Sequence, residues 1–132
     1  MKRLFVLICL AIGLAGPTLA DPGAVRTVIR DQIHAFKSDD FERAFTYASP
    51  TIRGIFQTPE RFGQMVRQGY PMVWRPVTLR FLPIEEHAEG LVQPVMIRDA
   101  QGALHILDYD MVEGETGWKI DGVQLRAPAG AV

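Results

Sequence analysis

Three histidines, a pair of closely spaced aspartates and one tyrosine- and tryptophan-bearing segment hold most of the chemistry available to this 132-residue chain. His105 is the most interesting of them. In an extended segment side chains alternate between faces, so His105 shares a face with Leu107, Tyr109 and Met111. If that face lines a hollow, an imidazole titrating near neutrality could act as a base or bind a ligand, with Tyr109 beside it. The plainer alternative is a half-buried histidine satisfied by a neighbouring strand. His34 lies opposite the apolar side of its helix, and His87 sits in the acidic run Glu85-Glu86-His87-Ala88-Glu89, so both read as solvated.

Asp108 and Asp110 fall on the other face of the same segment, with Leu104, Ile106 and Val112. Two carboxylates at that spacing could hold a cation or form an acid–base pair. No Asp-rich calcium loop surrounds them and no second histidine stands at ligand spacing. They are therefore expected to be solvated or paired with Arg98 and Lys119, and no metal is expected. No G-x-S-x-G motif occurs, Ser38 and Ser49 read as helix caps, and the glycines are scattered rather than grouped into a phosphate loop, so no cofactor is expected.

The segment Tyr70-Pro71-Met72-Val73-Trp74-Arg75-Pro76 is the most apolar connector in the chain. Tyr70 and Trp74 offer broad apolar faces with polar edges, and Arg75 a planar fork of donors. On a proline-stiffened loop these three residues could cap a cavity mouth or form a ligand or partner patch. Equally, they could plug the open end of a sheet.

These groups need elements to position them. Val25, Val28, Ile29, Ile33 and Phe36 repeat at helical spacing, which predicts a first helix over Gly23–Lys37. Asp39 with Glu42 three residues later predicts the start of a second helix. Ser49-Pro50 and Thr58-Pro59 predict a third and a fourth, the last ending at Gly69. Two prolines within Tyr70–Pro76 argue against a regular helix there. Alternation then predicts four strands, over Val77–Ile84, Leu91–Arg98, Ala103–Val112 and Trp118–Arg126. Turns are expected at Glu85–Gly90, Asp99–Gly102 and Glu113–Gly117, with a bulge or bend at Gly122. Helices followed by a meander of strands indicate an α+β domain, with N-terminal helices packed on a curved antiparallel sheet of about four strands.

Composition and charge narrow the function further. With 14 Lys+Arg against 15 Asp+Glu and 48% hydrophobic residues, disorder and a basic nucleic-acid-binding tail are excluded. Lys2-Arg3, the uncharged run Leu4–Gly16 and Thr18-Leu19-Ala20 follow the order of a secretory signal peptide over residues 1–20. The apolar run makes about 20 Å of helix, short of a ~30 Å hydrocarbon core, so no permanent membrane span is expected after cleavage. Removing residues 1–20 leaves a domain over 21–126 and a small-residue tail over 127–132, with no cysteine, since Cys9 is the only one. A thiol-free chain suits a periplasmic or extracellular setting.

Four stretches carry a family resemblance: Phe45–Pro50, Thr58–Phe62, Tyr70–Pro76 and Trp118–Leu125. On these the chain resembles a bacterial secreted family known only as domain of unknown function 4864. The closing Gly117-Trp118-Lys119-Ile120-Asp121-Gly122-Val123 is similar to the last strand of the nuclear-transport-factor-2-like, or cystatin-like, fold. The resemblance implies a helical hairpin across a bent sheet that forms a cone, often with a short strand between the second and third helical segments. Here Thr51–Gln57 reads instead as a helical turn. Ketosteroid isomerases and dehydratases share that scaffold and use a carboxylate base with a tyrosine donor. The resemblance would put Tyr109 or Tyr70, with Asp121 or Asp108, in those roles, although no spacing ties them together. The expected function is a non-catalytic accessory module binding a small molecule or a protein, with a small isomerase or dehydratase as the alternative. A homodimer through Leu104, Ile106, Val112, Val123 and Leu125 is also expected.

Overall fold

Asp21 caps the first helix by accepting a hydrogen bond from the Gly23 amide at 2.9 Å, with Pro22 in the first turn, where its missing N–H costs nothing. The structure, a computed structural model, describes residues 21–126 apart from residue 89. The expected signal segment and tail lie outside the described residues. Helix α1 spans Pro22–Lys37 and buries Val25, Ile29, Ile33 and Phe36, the stripe its spacing predicts. It is followed by α2 (Phe41–Thr46), α3 (Pro50–Phe56), α4 (Pro59–Gly69) and α5 (Pro71–Trp74). Ser49 and Thr58 cap α3 and α4 through their hydroxyls, on the amides of Ile52 and Arg61.

Two local expectations are corrected. The cap of α2 is Asp40, which accepts from the Arg43 amide at 3.1 Å, not Asp39. Asp39 closes α1 in a left-handed conformation (φ 55°), which an aspartate tolerates better than most residues. The connector does contain helix, the single turn α5. Pro71 occupies its first position, where no amide donor is required, and Pro76 lies beyond its end.

The strands are β1 (Thr78–Phe81), β2 (Glu85–His87), β3 (Gly90–Arg98), β4 (Leu104–Gly114) and β5 (Gly117–Leu125). They form one open antiparallel sheet in the order β1-β3-β4-β5, with β2 also pairing β3. The segment Glu85–Gly90, expected as a turn, thus supplies a fifth strand. All three residues of β2 are exposed, so no apolar alternation marks it, and backbone pairing with Gly90–Val92 holds it.

Pro94 lies within β3, a strand with neighbours on both sides, and lacks the amide a ladder needs. Gln93 compensates from a fully buried position. Its Nε2 donates to the carbonyls of Leu82 and Pro94, each at 2.7 Å, and its Oε1 accepts from Arg26 Nε at 3.1 Å. Arg26 Nη2 also donates to Leu82 O at 3.2 Å, tying α1 to the sheet.

The register of β4 against β5 slips between Asp110 and Met111, so Asp110 faces Gly122, Met111 faces Ile120, and Asp121 is the extra residue. This is the bulge expected near Gly122. Its consequence is a change of parity: Val123 pairs with Tyr109 and Leu125 with Leu107, on the face that packs against the helices. The five residues expected to form a common dimer face are therefore divided. Leu104, Ile106 and Val112 stay on the outer face, while Val123 and Leu125 do not. The core combines the α1 stripe with Val95, Ile97, Leu107, Met111 and Ile120. At about 1.5–3 kcal/mol for each large side chain removed from water, this layer dominates the stability.

Ala48, between α2 and α3, forms a one-residue parallel bridge to Ile120. The Ser49 amide donates to Ile120 O at 2.8 Å and the Ile120 amide to Tyr47 O at 2.9 Å. Ser49 Oγ donates to Asp121 Oδ1 at 2.6 Å. These bonds seat the helical layer on the free side of β5.

Candidate functional site

Between α1, α3, α4, α5 and the inner face of β4 and β5 lies a hollow of about 220 Å³. Phe36, Phe56, Phe62, Met65 and Val66 line it from the helices, and Ile120 and Val123 from the sheet. The aromatic wall is continuous: the Phe62 ring lies 5.3 Å from Phe45, 5.8 Å from Phe56 and 5.9 Å from Phe36, between centroids. Capping fixes this wall, because Ser49 and Thr58 start the helices that present Phe56, Phe62 and Met65. The bulge at Asp121 supplies the opposite side by turning Val123 inward.

Three polar side chains share the lining. Gln32 donates from Nε2 to Ala44 O at 3.2 Å, and the Tyr70 hydroxyl donates to Val123 O at 3.0 Å, joining the connector to β5. Tyr109 is completely buried, and its hydroxyl meets no hydrogen-bond partner among the described residues. Burial, with a smaller contribution from Tyr70, pushes the phenol far above the usual tyrosine range, so it stays protonated. Every other buried side-chain nitrogen or oxygen among the described residues is bonded.

The remaining sequence candidates fall elsewhere. His105 does not line the hollow. Its Nε2 lies 2.7 Å from Asp99 Oδ2, at the hairpin turn before β4. Asp99 also accepts from the amides of Gln101 and Ala103, each at 2.9 Å, so the histidine completes a turn-locking cluster. His105 and Tyr109 share a strand face but stand four residues apart, about 13 Å along the strand, and are not brought together.

The His105 hydrogen bond, aided by the two turn amides, holds the Asp99 carboxyl below its ordinary range. A carboxyl depressed by folding contributes stability that is complete above the unfolded value, near ~4, and is lost as pH falls through the folded value. Acidification from pH 5 to pH 3 should therefore lower the urea midpoint of the wild type more than that of Asp99→Asn. Parallel curves would show that the turn cluster contributes nothing to the acid limb.

Trp74 and Arg75 form a clasp. Trp74 Nε1 and Arg75 Nη2 both donate to Asp39 Oδ1 at 2.9 Å, and Arg75 Nη1 donates to Phe36 O at 2.7 Å. The guanidinium also lies 4.2 Å from the Trp74 ring centroid. Of the three patch residues, only Tyr70 reaches the hollow. The Trp74 and Arg75 hydrogen bonds lower the Asp39 pKa.

Asp108 is held by Arg126 at 2.6 and 3.2 Å, and Lys119 donates to Thr46 O at 2.9 Å, so the expected partners Arg98 and Lys119 do not fill that role. Asp110 has its pKa raised by burial and by the charges of Asp121 and Asp108. Neither carboxylate lines the hollow, and no group of three metal-ligating side chains occurs among the described residues.

Gln32 was absent from the sequence candidates although a signal existed: it stands three residues from Ile29 and four from Phe36, a polar residue on the apolar stripe of α1. Phe56, Phe62 and Met65 read as core, because helical spacing does not distinguish a residue that packs against neighbours from one that borders a hollow. Residues 18–131 match the family model described as Domain of unknown function (DUF4864). No curated protein matches the chain.

Proposed function

The chain belongs to that family, whose description carries no activity, and from the geometry we propose that it is an exported, non-catalytic protein that binds a small apolar molecule in the hollow. The observation that carries this reading is a hollow whose described lining is largely apolar, with Phe36, Phe56, Phe62, Met65 and Val66 on one side and Ile120 and Val123 on the other.

Size limits that molecule. Ligand pockets generally run from about 300 to 1,000 Å³, whereas a dry cavity of about 150 Å³ accepts benzene. At about 220 Å³ the site suits a molecule of one ring, roughly eight to ten non-hydrogen atoms. An isomerase or dehydratase needs a base at the substrate, and the lining offers no carboxylate or imidazole, so binding is the better-supported reading. We further propose that the sheet and its helical lid form the cone of a nuclear-transport-factor-2-like fold, and that residues 1–20 direct export. The charged start, apolar run and small residues before Asp21 support the latter.

Calorimetric titration with single-ring hydrocarbons tests the binding reading. The wild type should bind them, and Met65→Phe, which fills part of the hollow from a half-buried position, should weaken binding about tenfold or more while the circular dichroism stays native. Absence of binding up to the solubility limit of the probes would remove the proposal.

A further inference from the structure

The two margins of the sheet differ. β5 is bridged at Ile120 by Ala48, whereas among the described residues nothing pairs with β1 on the side away from β3. Pairing with β3 decides which backbone groups of β1 are left over. The Leu82 amide donates to Pro94 O at 3.0 Å, and Arg80 stands opposite Met96. Backbone groups alternate along an antiparallel strand, so the N–H and C=O of Leu79 and Phe81 point away from β3. Pro83 comes next in that alternation and has no N–H, so the open margin stops there.

Beside this margin runs a groove of about 330 Å³, walled by α1 on one side and by residues 76–79 on the other. Arg30, His34 and Lys37 line it from α1, against a single acid, Asp31. The Arg30 guanidinium lies 4.8 Å from the centroid of the Phe81 ring, which holds it beside β1. Arg80 on β1 and Arg98, opposite Thr78, add positive charge at the same end of the sheet. Among the described residues none of Arg30, Lys37, Arg80 and Arg98 forms an ion pair. No residue of this groove lines the hollow, so the two readings stand or fall separately.

We propose that β1 accepts an extended acidic peptide as a further strand, with acidic side chains at alternate positions entering the groove. The added strand runs antiparallel, as each pair of strands in the sheet does. Its residues opposite Leu79 and Phe81 exchange hydrogen bonds with them and share their face, which is the face toward α1. Strand addition takes its affinity from the main chain and its selectivity from what the alternate side chains meet. Here they meet cations. A second copy of β1 is the wrong occupant, because pairing two such margins would set like charges against each other.

Fluorescence anisotropy with labelled Thr-Glu-Thr-Glu-Thr, capped at both ends, tests the proposal. The peptide should bind saturably below about 1 mM, and Thr-Lys-Thr-Lys-Thr about tenfold more weakly or worse. Methylating the two glutamate amides, which would bond the margin, should weaken binding about tenfold or more. Methylating the inner threonine amide, which would face away from β1, should change binding by less than about twofold. Lys37→Glu replaces an exposed side chain, so its circular dichroism should stay native while the acidic peptide binds about fivefold more weakly. Absence of binding, equal binding of the lysine peptide, or indifference to methylation of the glutamate amides would each overturn strand addition by an acidic segment. So would sedimentation showing a dimer that the acidic peptide does not dissociate, since a second copy would then hold the margin.

Discussion

Phe62→Ala should destabilise the protein by about 3–5 kcal/mol, the usual range for deleting a buried aromatic side chain. Phe62 is buried at the centre of the aromatic group, within 6 Å of the rings of Phe36, Phe45 and Phe56. Phe36 comes from α1, Phe45 from α2 and Phe56 from α3, so one ring on α4 joins four helices. Removing it extends the adjacent hollow instead of leaving a sealed void, and the neighbouring elements have little room to collapse because their caps and the Ala48 bridge fix them. Urea unfolding followed by circular dichroism measures the loss. A change below about 1 kcal/mol would mean that the aromatic group is not a packed core. Should the variant fold, its enlarged hollow should also admit two-ring probes that the wild type rejects.

Gln93→Leu should cost about 3 kcal/mol despite conserving volume and adding apolar surface. The substitution strips an acceptor from the Arg26 guanidinium and the Gln93 donor from the carbonyls of Leu82 and Pro94. Hydrogen bonds to charged groups contribute about 1.5–3 kcal/mol and neutral ones about 0.5–1.5; the two carbonyls lose one bond each but keep another donor, Arg26 Nη2 on Leu82 O and the Leu82 amide on Pro94 O. Gln93→Glu distinguishes this account from simple loss of an ion–dipole contact. The carboxylate would keep Arg26 but would place an acceptor against two carbonyl oxygens, so no recovery is expected at neutral pH. Equal stability of wild type and Gln93→Leu would show that β3 tolerates Pro94 without help.

The parts of the fold legible from sequence are those encoded within a few residues. Ser49-Pro50 and Thr58-Pro59 each combine a capping hydroxyl with a first-turn proline, and both helices start there. The α1 stripe and the strands β3 to β5 follow from apolar period alone. β2 was not legible, because Glu85-Glu86-His87 is exposed throughout and its pairing is purely backbone. The cap of α2 was misplaced by one residue, since Asp39 and Asp40 are both good caps and only the distant Trp74 and Arg75 decide which is occupied otherwise.

The site was half legible. Tyr70 and Tyr109 were identified, and both line the hollow. The pairing of Tyr109 with His105 rested on shared strand parity, which fixes the face but not the distance along it. Parity also failed beyond Asp121, because a bulge turns the strand over without any change in its apolar content. Gly122 hinted at the bulge without revealing which later residues it would bring inward.

The bridge at Ala48 has a bearing on the protein's fate in concentrated solution. An open sheet ends in two rows of unsatisfied backbone groups, each able to recruit a strand from another molecule and begin aggregation. On the β5 side the Tyr47–Ser49 segment takes up the amide and carbonyl of Ile120 within the same chain, and Ser49 bonds the Asp121 side chain beside it. Loosening this one-residue bridge, as by Ala48→Pro, would free the Ile120 amide and carbonyl at the middle of that row, and self-association should then begin from the C-terminal strand.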